Sequence, residues 1–180
     1  MQGLVRGRPA GVPVIETARL RLRAHRADDL ADCAAMWADP AVTRYIGGKP
    51  ATRQETWTKL LRYAGLWSLL GYGYWALEAR ATGGFIGELG FADFMRDMEP
   101  SLDGRPEIGW ALASHAHGNG YASEAVAAAV AWGDAAFGTV RTVCLIGPEN
   151  VASIRVAEKC GYREFARAEY KGEATILFER

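Results

Sequence analysis

Hydrophobic and polar positions divide the chain into short alternating runs and a few longer periodic ones. Arg19-Leu20-Arg21-Leu22-Arg23-Ala24 alternates polar and apolar with period two, the pattern of a half-buried strand. Asp28 stands where it can cap a helix whose apolar positions Leu30, Cys33, Ala34 and Trp37 share one face, and Asp39-Pro40 stops that helix. After a loop from Tyr45 to Pro50, Thr52-x-x-Glu55 reads as a capping box. It opens a second helix with Trp57, Leu60, Leu61, Ala64 and Trp67 on one side, ended by Gly71 and Gly73. Tyr74 to Ala79 and Phe85 to Phe91 read as strands joined at Thr82-Gly83-Gly84. A polar connection from Met95 to Arg105 leads into a third strand, Ile108 to Ala113. Gly118-Asn119-Gly120 then turns the chain into a long alanine-rich helix that ends at Gly138. Val140 to Ile146 is an apolar, β-branched strand. Asn150 starts a short helix with Ile154, Ala157 and Cys160 facing one way, ended by Gly161. Tyr162 to Arg167 and Thr175 to Glu179 close the pattern as strands.

This order predicts an α+β fold with a mixed sheet, not the strict alternation of a doubly wound nucleotide fold. The Gly/Pro/Arg-rich residues 1–12 are expected to form a mobile tail, and residues 13–180 one domain without internal repeats. Lys+Arg and Asp+Glu both total 21, so no long-range field favours nucleic acid or an anionic membrane. The longest weakly polar run, Ala125 to Ala131, is too short to span a bilayer, and the N-terminus lacks the apolar core of an export signal. Cys33, Cys144 and Cys160 are odd in number and irregular in spacing, which fits a reducing cytoplasm better than a disulfide framework. Three histidines, His25, His115 and His117, are too scattered to predict a metal site.

The stretch from Glu107 to Gly138 carries the chemistry. A turn feeding a helix N-terminus leaves backbone N–H groups unpaired and pointing one way. With the positive end of the helix dipole they form a site for a phosphate or diphosphate. Glycines at 118 and 120 admit the backbone close to such an anion without a Cβ in the way.

Taken together, Glu107-Ile108-Gly109-Trp110, His117-Gly118-Asn119-Gly120-Tyr121-Ala122-Ser123-Glu124-Ala125, Asn150-x-x-Ser153 and Lys159-Cys160-Gly161-Tyr162 resemble the GNAT superfamily of N-acetyltransferases. Thr17-x-Arg19-Leu20-x-Leu22-Arg23 and Ile46-Gly47-Gly48 are similar, more narrowly, to the branch of bacterial enzymes that acetylate ribosomal-protein N-termini. The resemblance spans about residues 15–179. It implies a mixed, mostly antiparallel sheet of about seven strands flanked by about four helices, with acetyl-CoA as donor and no metal. It implies that the pantetheine arm pairs like an added strand along Trp110, Ala111, Leu112 and Ala113. The diphosphate would then sit on the N–H groups of His115, His117, Gly118, Asn119, Gly120, Tyr121 and Ala122. His115 stands where the family motif carries Gln or Arg. Asn150 would contact the pantetheine or orient the acetyl end, with Ser153 near the thiol. The superfamily's frequent dimers make a homodimer compatible with this reading.

An amine attacks a thioester only when neutral, and a lysine-type amine has a pKa of about 10. A general base is therefore expected, Glu107 first and Glu88 second, both from strands that line the expected acetyl site. The oxyanion would meet backbone N–H groups of Trp110 to Leu112. Ser153 would assist the departing thiolate, since the position where many relatives carry a tyrosine is Ala157. Plainer alternatives stay open. Glu107 also reads as a solvated or ion-paired strand end, Asn150 as a helix cap, and the acids Asp97, Glu99 and Asp103 as a solvated loop rather than a lure for a cationic acceptor. A non-catalytic acyl-CoA-binding module and a dinucleotide site are the competing functions; against the latter, Ser123 fills the third glycine position of the fingerprint.

Overall fold

The computed structural model describes residues 11–180. In chain order its elements are β1 (Ile15–Glu16), β2 (Leu20–Arg23), α1 (Leu30–Ala38), α2 (Pro40–Thr43), α3 (Arg53–Leu70), β3 (Tyr74–Ala79), β4 (Phe85–Ala92), β5 (Glu107–Leu112), α4 (Tyr121–Phe137), β6 (Val143–Ile146), α5 (Val151–Lys159), β7 (Arg163–Tyr170) and β8 (Glu173–Glu179). The strands form one sheet in the order β1-β2-β3-β4-β5-β6-β8-β7. Only β5 and β6 run parallel. The α+β architecture expected from the sequence is the one observed. It has eight strands where about seven were expected, since β1 is a two-residue strand with no periodic signal. Its fifth helix, α2, is a single turn between the expected stop at Asp39-Pro40 and the expected loop, begun by Pro40 and capped by the Asp39 carboxylate, which accepts from the Ala41 N–H at 2.8 Å.

Strand alternation sends Trp75, Leu77, Leu89, Phe91 and Ile108 to one face of the sheet, where α4 and α5 cover them. The other face carries Tyr74, Glu88 and Ala111 beneath α1 and α3, through Met36, Trp37 and Tyr63. Two expectations about the helices on that side need correction. Asp28 does not cap α1; Asp29 does the local work, accepting from the Arg26 N–H at 2.7 Å and from both terminal nitrogens of Arg23. On α3 the capping box forms as expected, with Thr52 and Glu55 bonded reciprocally, but the inward face is rotated. Thr56, Leu60 and Tyr63 are buried, while Trp57 and Leu61 are 37% and 54% exposed. Tyr63 turns inward because its hydroxyl has a buried carboxylate to bond, which a purely hydrophobic pattern does not register.

Most of the expected tail, residues 1–12, lies outside the described residues; Val12 packs against the core, and the Pro13 carbonyl accepts from the Trp75 indole at 2.8 Å. No helix among the described residues is long and apolar enough to cross a membrane. All three cysteines are free thiols.

Candidate active site

β5 and β6 share one register pair, Glu107 with Val143, and diverge beyond it into an open wedge. The Ala113 N–H bonds to Ile86 on the β4 side, whereas the Pro106 carbonyl accepts from Val143 on the β6 side. By alternation, Ile108, Trp110 and Leu112 direct their backbone groups into the wedge, and Ala111 and Ala113 direct theirs away from it. Leu112 has its carbonyl engaged by His117 Nε2 at 2.8 Å.

At the mouth of the wedge, Gly118 and Gly120 have φ of +77° and +75°. The left-handed conformation, rather than close packing, is what demands glycine here, because an added Cβ at 118 would meet nothing within 4 Å. The loop enters α4 without a side-chain cap. The backbone N–H groups of residues 118–123 consequently find no acceptor among the described residues. Their loop is held from outside. Glu124 accepts from Thr17 Oγ1 at 2.6 Å, from the Arg19 N–H at 2.9 Å and from Arg19 Nε at 2.7 Å, while Arg19 Nη1 donates to the Asn119 carbonyl. Burial acts to raise the Glu124 carboxyl, and the bonds from Thr17 and Arg19 override it, leaving it below the usual range. Arg19 was expected as the polar member of an alternating strand and as part of the Thr17-x-Arg19 motif, with no partner named for it; its partner is 105 residues away.

Two cavities meet at the wedge. The first, of about 380 Å³, is bounded by the 118–123 loop, β5 and the start of α5, and no Lys, Arg, Asp or Glu side chain lines it. Of the expected donor-site residues, Trp110, Ala111, Leu112, His117, Gly118, Gly120, Tyr121, Ala122, Asn150 and Ser153 line it. Ala113, His115 and Asn119 do not: Ala113 is buried toward β4, His115 is exposed on a single turn of 3-10 helix, and the Asn119 amide is bonded to the His117 carbonyl at 3.0 Å. Asn150 caps α5, accepting from the Ser153 N–H at 3.2 Å, which leaves its amide N–H₂ free.

The second cavity, of about 530 Å³, lies under α3 and shares Tyr45, Ile46, Trp110, Ala111, Asn150 and Ser153 with the first. Both expected bases line it, in different states. Glu107 is 6% exposed and accepts from Arg96 Nε and Nη2, each at 2.7 Å. Burial pushes its carboxyl up, and Arg96 pulls it back. It is therefore a buried ion pair, not a solvated strand end. Glu88 is fully buried, its Oε1 accepting from the Tyr63 hydroxyl and, at 3.1 Å, from the Trp37 indole. Its Oε2 and both ring nitrogens of His25 have no hydrogen-bond partner, with His25 Nε2 3.6 Å from that oxygen. Burial and then Glu88 push the Tyr63 phenol well up, which keeps it a donor. Against the expectation of scattered histidines, His25, Cys33 and Glu88 bring one donor atom each within 4.8 Å of one another. Arg96, Trp37, Tyr63 and His25 come from four separate segments, so no local spacing announces the set.

Lys59 and Arg62, one turn apart on α3, also line this cavity. The Lys59 ammonium lies 3.9 Å over the Trp37 ring, and burial draws its pKa down, Glu88 opposing and Arg62 adding.

Residues 19–163 match a family model described as an acetyltransferase (GNAT) domain. An uncharacterized N-acetyltransferase, p20, of Bacillus licheniformis is 30% identical over 149 residues, covering 82% of this chain and 81% of that protein. The crystal structure of an acetyltransferase from Agrobacterium tumefaciens matches with a TM-score of 0.80 at 25% identity, over 97% of this chain and 98% of that one. RimL, a ribosomal L7/L12 alpha-N-protein acetyltransferase in complex with coenzyme A, matches with a TM-score of 0.73 at 19% identity, over 93% and 97%; that likeness is one of fold.

Proposed function

The chain belongs to the GNAT acetyltransferase family, and on that premise we propose that it transfers the acetyl group of acetyl-CoA directly to a primary amine, of a small molecule or a protein N-terminus. The observation that carries this reading is the junction of two unlike cavities at Trp110, Ala111, Asn150 and Ser153. One offers unpaired N–H groups to a diphosphate and an open strand edge to an extended arm; the other offers carboxylates to an incoming amine. The donor supplies an activated thioester. This chain's residues supply alignment and proton handling.

In this proposal the N–C bond forms as the C–S bond breaks, one amine proton passes to a carboxylate, and the departing thiolate takes up a proton beside the Ser153 hydroxyl. Glu88 takes the base role ahead of Glu107. Both Glu107 oxygens are spent on Arg96, whereas Glu88 keeps one oxygen free, with His25 the next proton carrier beyond it. The inward N–H groups of Trp110 and Leu112 are the donors on hand for the oxyanion. Three free cysteines support a reducing compartment such as the cytoplasm. The resemblance of Thr17-x-Arg19-Leu20-x-Leu22-Arg23 and Ile46-Gly47-Gly48 to the ribosomal-protein branch supports a protein N-terminus as one acceptor.

Thermal unfolding with acetyl-CoA, CoA and NAD in parallel tests the donor. A native-state ligand at 100 times its Kd should add about 2.7 kcal/mol, and only the CoA species should do so. Thiol release should then fall by about 10²–10⁴ in Glu88→Gln without loss of acetyl-CoA affinity. Retained kcat would move the base elsewhere.

A further inference from the structure

We infer that the acceptor is a small primary amine carrying its own anionic group, a carboxylate or a phosphate; this rests on the acetyl-transfer reading above. The acceptor-side cavity is lined by Lys59, Arg62, Arg96 and Lys171 against Glu88 and Glu107. Arg96 and Glu107 cancel, and Glu88 sits fully buried under Tyr63 and Trp37. The other three cations have no carboxylate within salt-bridge distance among the described residues.

They are held by aromatic faces instead. Lys59 lies over Trp37, Arg62 lies 5.7 Å over Tyr63 and 5.4 Å over Phe94, and Lys171 lies 5.4 Å over Tyr170. A ring orients a cation without consuming its N–H donors, so the donors stay free for an anion. The donor's phosphates do not account for them. The unpaired N–H groups of residues 118–123 border the other cavity, which no Lys, Arg, Asp or Glu side chain lines. Nor does the acidic connection offset them, since Asp97, Glu99 and Asp103 do not line the cavity.

The same field serves the chemistry. Nearby cations disfavour the ammonium form of an incoming amine and so raise the share of the neutral nucleophile. They hold a carboxylate at the far end of the molecule and repel a polyamine. The volume, about 530 Å³, is that of a small-molecule site.

The test measures thiol release by the full chain from acetyl-CoA with ω-amino acids of two to five methylenes, each beside the alkylamine and the diamine of the same length. From about four methylenes upward these amines have similar basicity, so the far-end group is the variable there. An aminoalkyl phosphate of each length separates a phosphate reader from a carboxylate reader. The best anionic acceptor should exceed its neutral partner in kcat/KM by at least about tenfold, the worth of one charge-assisted hydrogen bond, with the diamine lowest. Arg62→Met, at an exposed position, should erase most of that advantage through KM with little change in kcat, and Arg62→Lys should restore it. Lys59→Met should act in the same direction. Equal or better turnover of the alkylamine or diamine overturns the inference while acetyl transfer stands. Absence of thiol release with every one of these amines, while acetyl-CoA still raises the unfolding temperature, overturns this inference, and absence with peptide N-termini as well overturns the transfer reading.

Discussion

Removing Arg96 should expose how much of the acceptor side depends on one ion pair. Arg96→Met leaves Glu107, 6% exposed, without its counter-ion. Breaking a buried pair from one side costs about 3–5 kcal/mol. The guanidinium also lies 4.7 Å over both Phe94 and Tyr170, adding about 1 kcal/mol. For a chain of this length each kcal/mol moves Tm by about 2–4 °C, so Tm should fall by about 10–20 °C. The deficit carries a pH signature. Burial raises the folded-state pKa of Glu107, and more so once Arg96 is gone. A carboxyl whose folded pKa exceeds its unfolded value contributes stability below the unfolded pKa and loses it as pH rises through the folded one. The deficit should therefore be larger at pH 8 than at pH 5. Arg96→Met/Glu107→Gln removes both charges and should recover most of the loss, because buried pairs are often replaceable by neutral groups. Scanning calorimetry at the two pH values, with kcat from thiol release, decides the matter. Arg96→Met as stable as the parent at pH 8, or a double variant no better than the single one, would refute the ion-pair account. Glu107→Gln at full stability with kcat down about a hundredfold would make Glu107 the base after all.

Three further outcomes follow from the donor side. Gly120→Ala should cost about 1–2 kcal/mol through its positive φ alone, since the new Cβ would stand 3.6 Å from the Arg19 guanidinium, an ordinary contact. Denaturant midpoints and acetyl-CoA titration check it, and undiminished affinity would show that the loop geometry is not needed for the donor. Glu124 is held below its ordinary pKa, so its contribution is present above an unfolded value of about 4.3 and is lost as pH falls through the folded one. Glu124→Gln should flatten that acid limb and weaken acetyl-CoA binding by freeing Arg19 from the loop; an unchanged Kd would separate the clamp from the cradle. Ser153→Ala should lower kcat by less than about tenfold, because a thiol of pKa about 8.5 is already a fair leaving group. A hundredfold fall would instead identify Ser153 as the acid.

What could be read from the chain was what short-range chemistry announces. Glycines at 118 and 120, a capping box at 52–55 and the short apolar runs of β3 to β5 each act within a few residues, and each stands as expected. The inward face of α3 was misjudged because burial there follows a hydrogen bond: Tyr63 goes in to reach Glu88, and Trp57 and Leu61 stay out. The surroundings of both carboxylates were illegible for a related reason. Arg96 lies in a polar connection with no periodicity, and His25, Trp37 and Tyr63 converge on Glu88 only once the sheet and two helices have docked. Thr17 and Arg19 looked like part of a strand motif, although their side chains fasten a loop about a hundred residues further on.

The single register pair between β5 and β6 has a mechanical meaning. Hydrogen bonding divides the sheet into two plates, β1 to β5 on one side and β6, β8 and β7 on the other, joined at one pin. The inward amides of Trp110 and Leu112, beyond the pin, have no strand opposite them, so the stiffness of the sheet is incomplete until an extended molecule lies between the plates. On this view rigidity is something the protein acquires from its substrate, and amide exchange along β5 and β6 would record when it does.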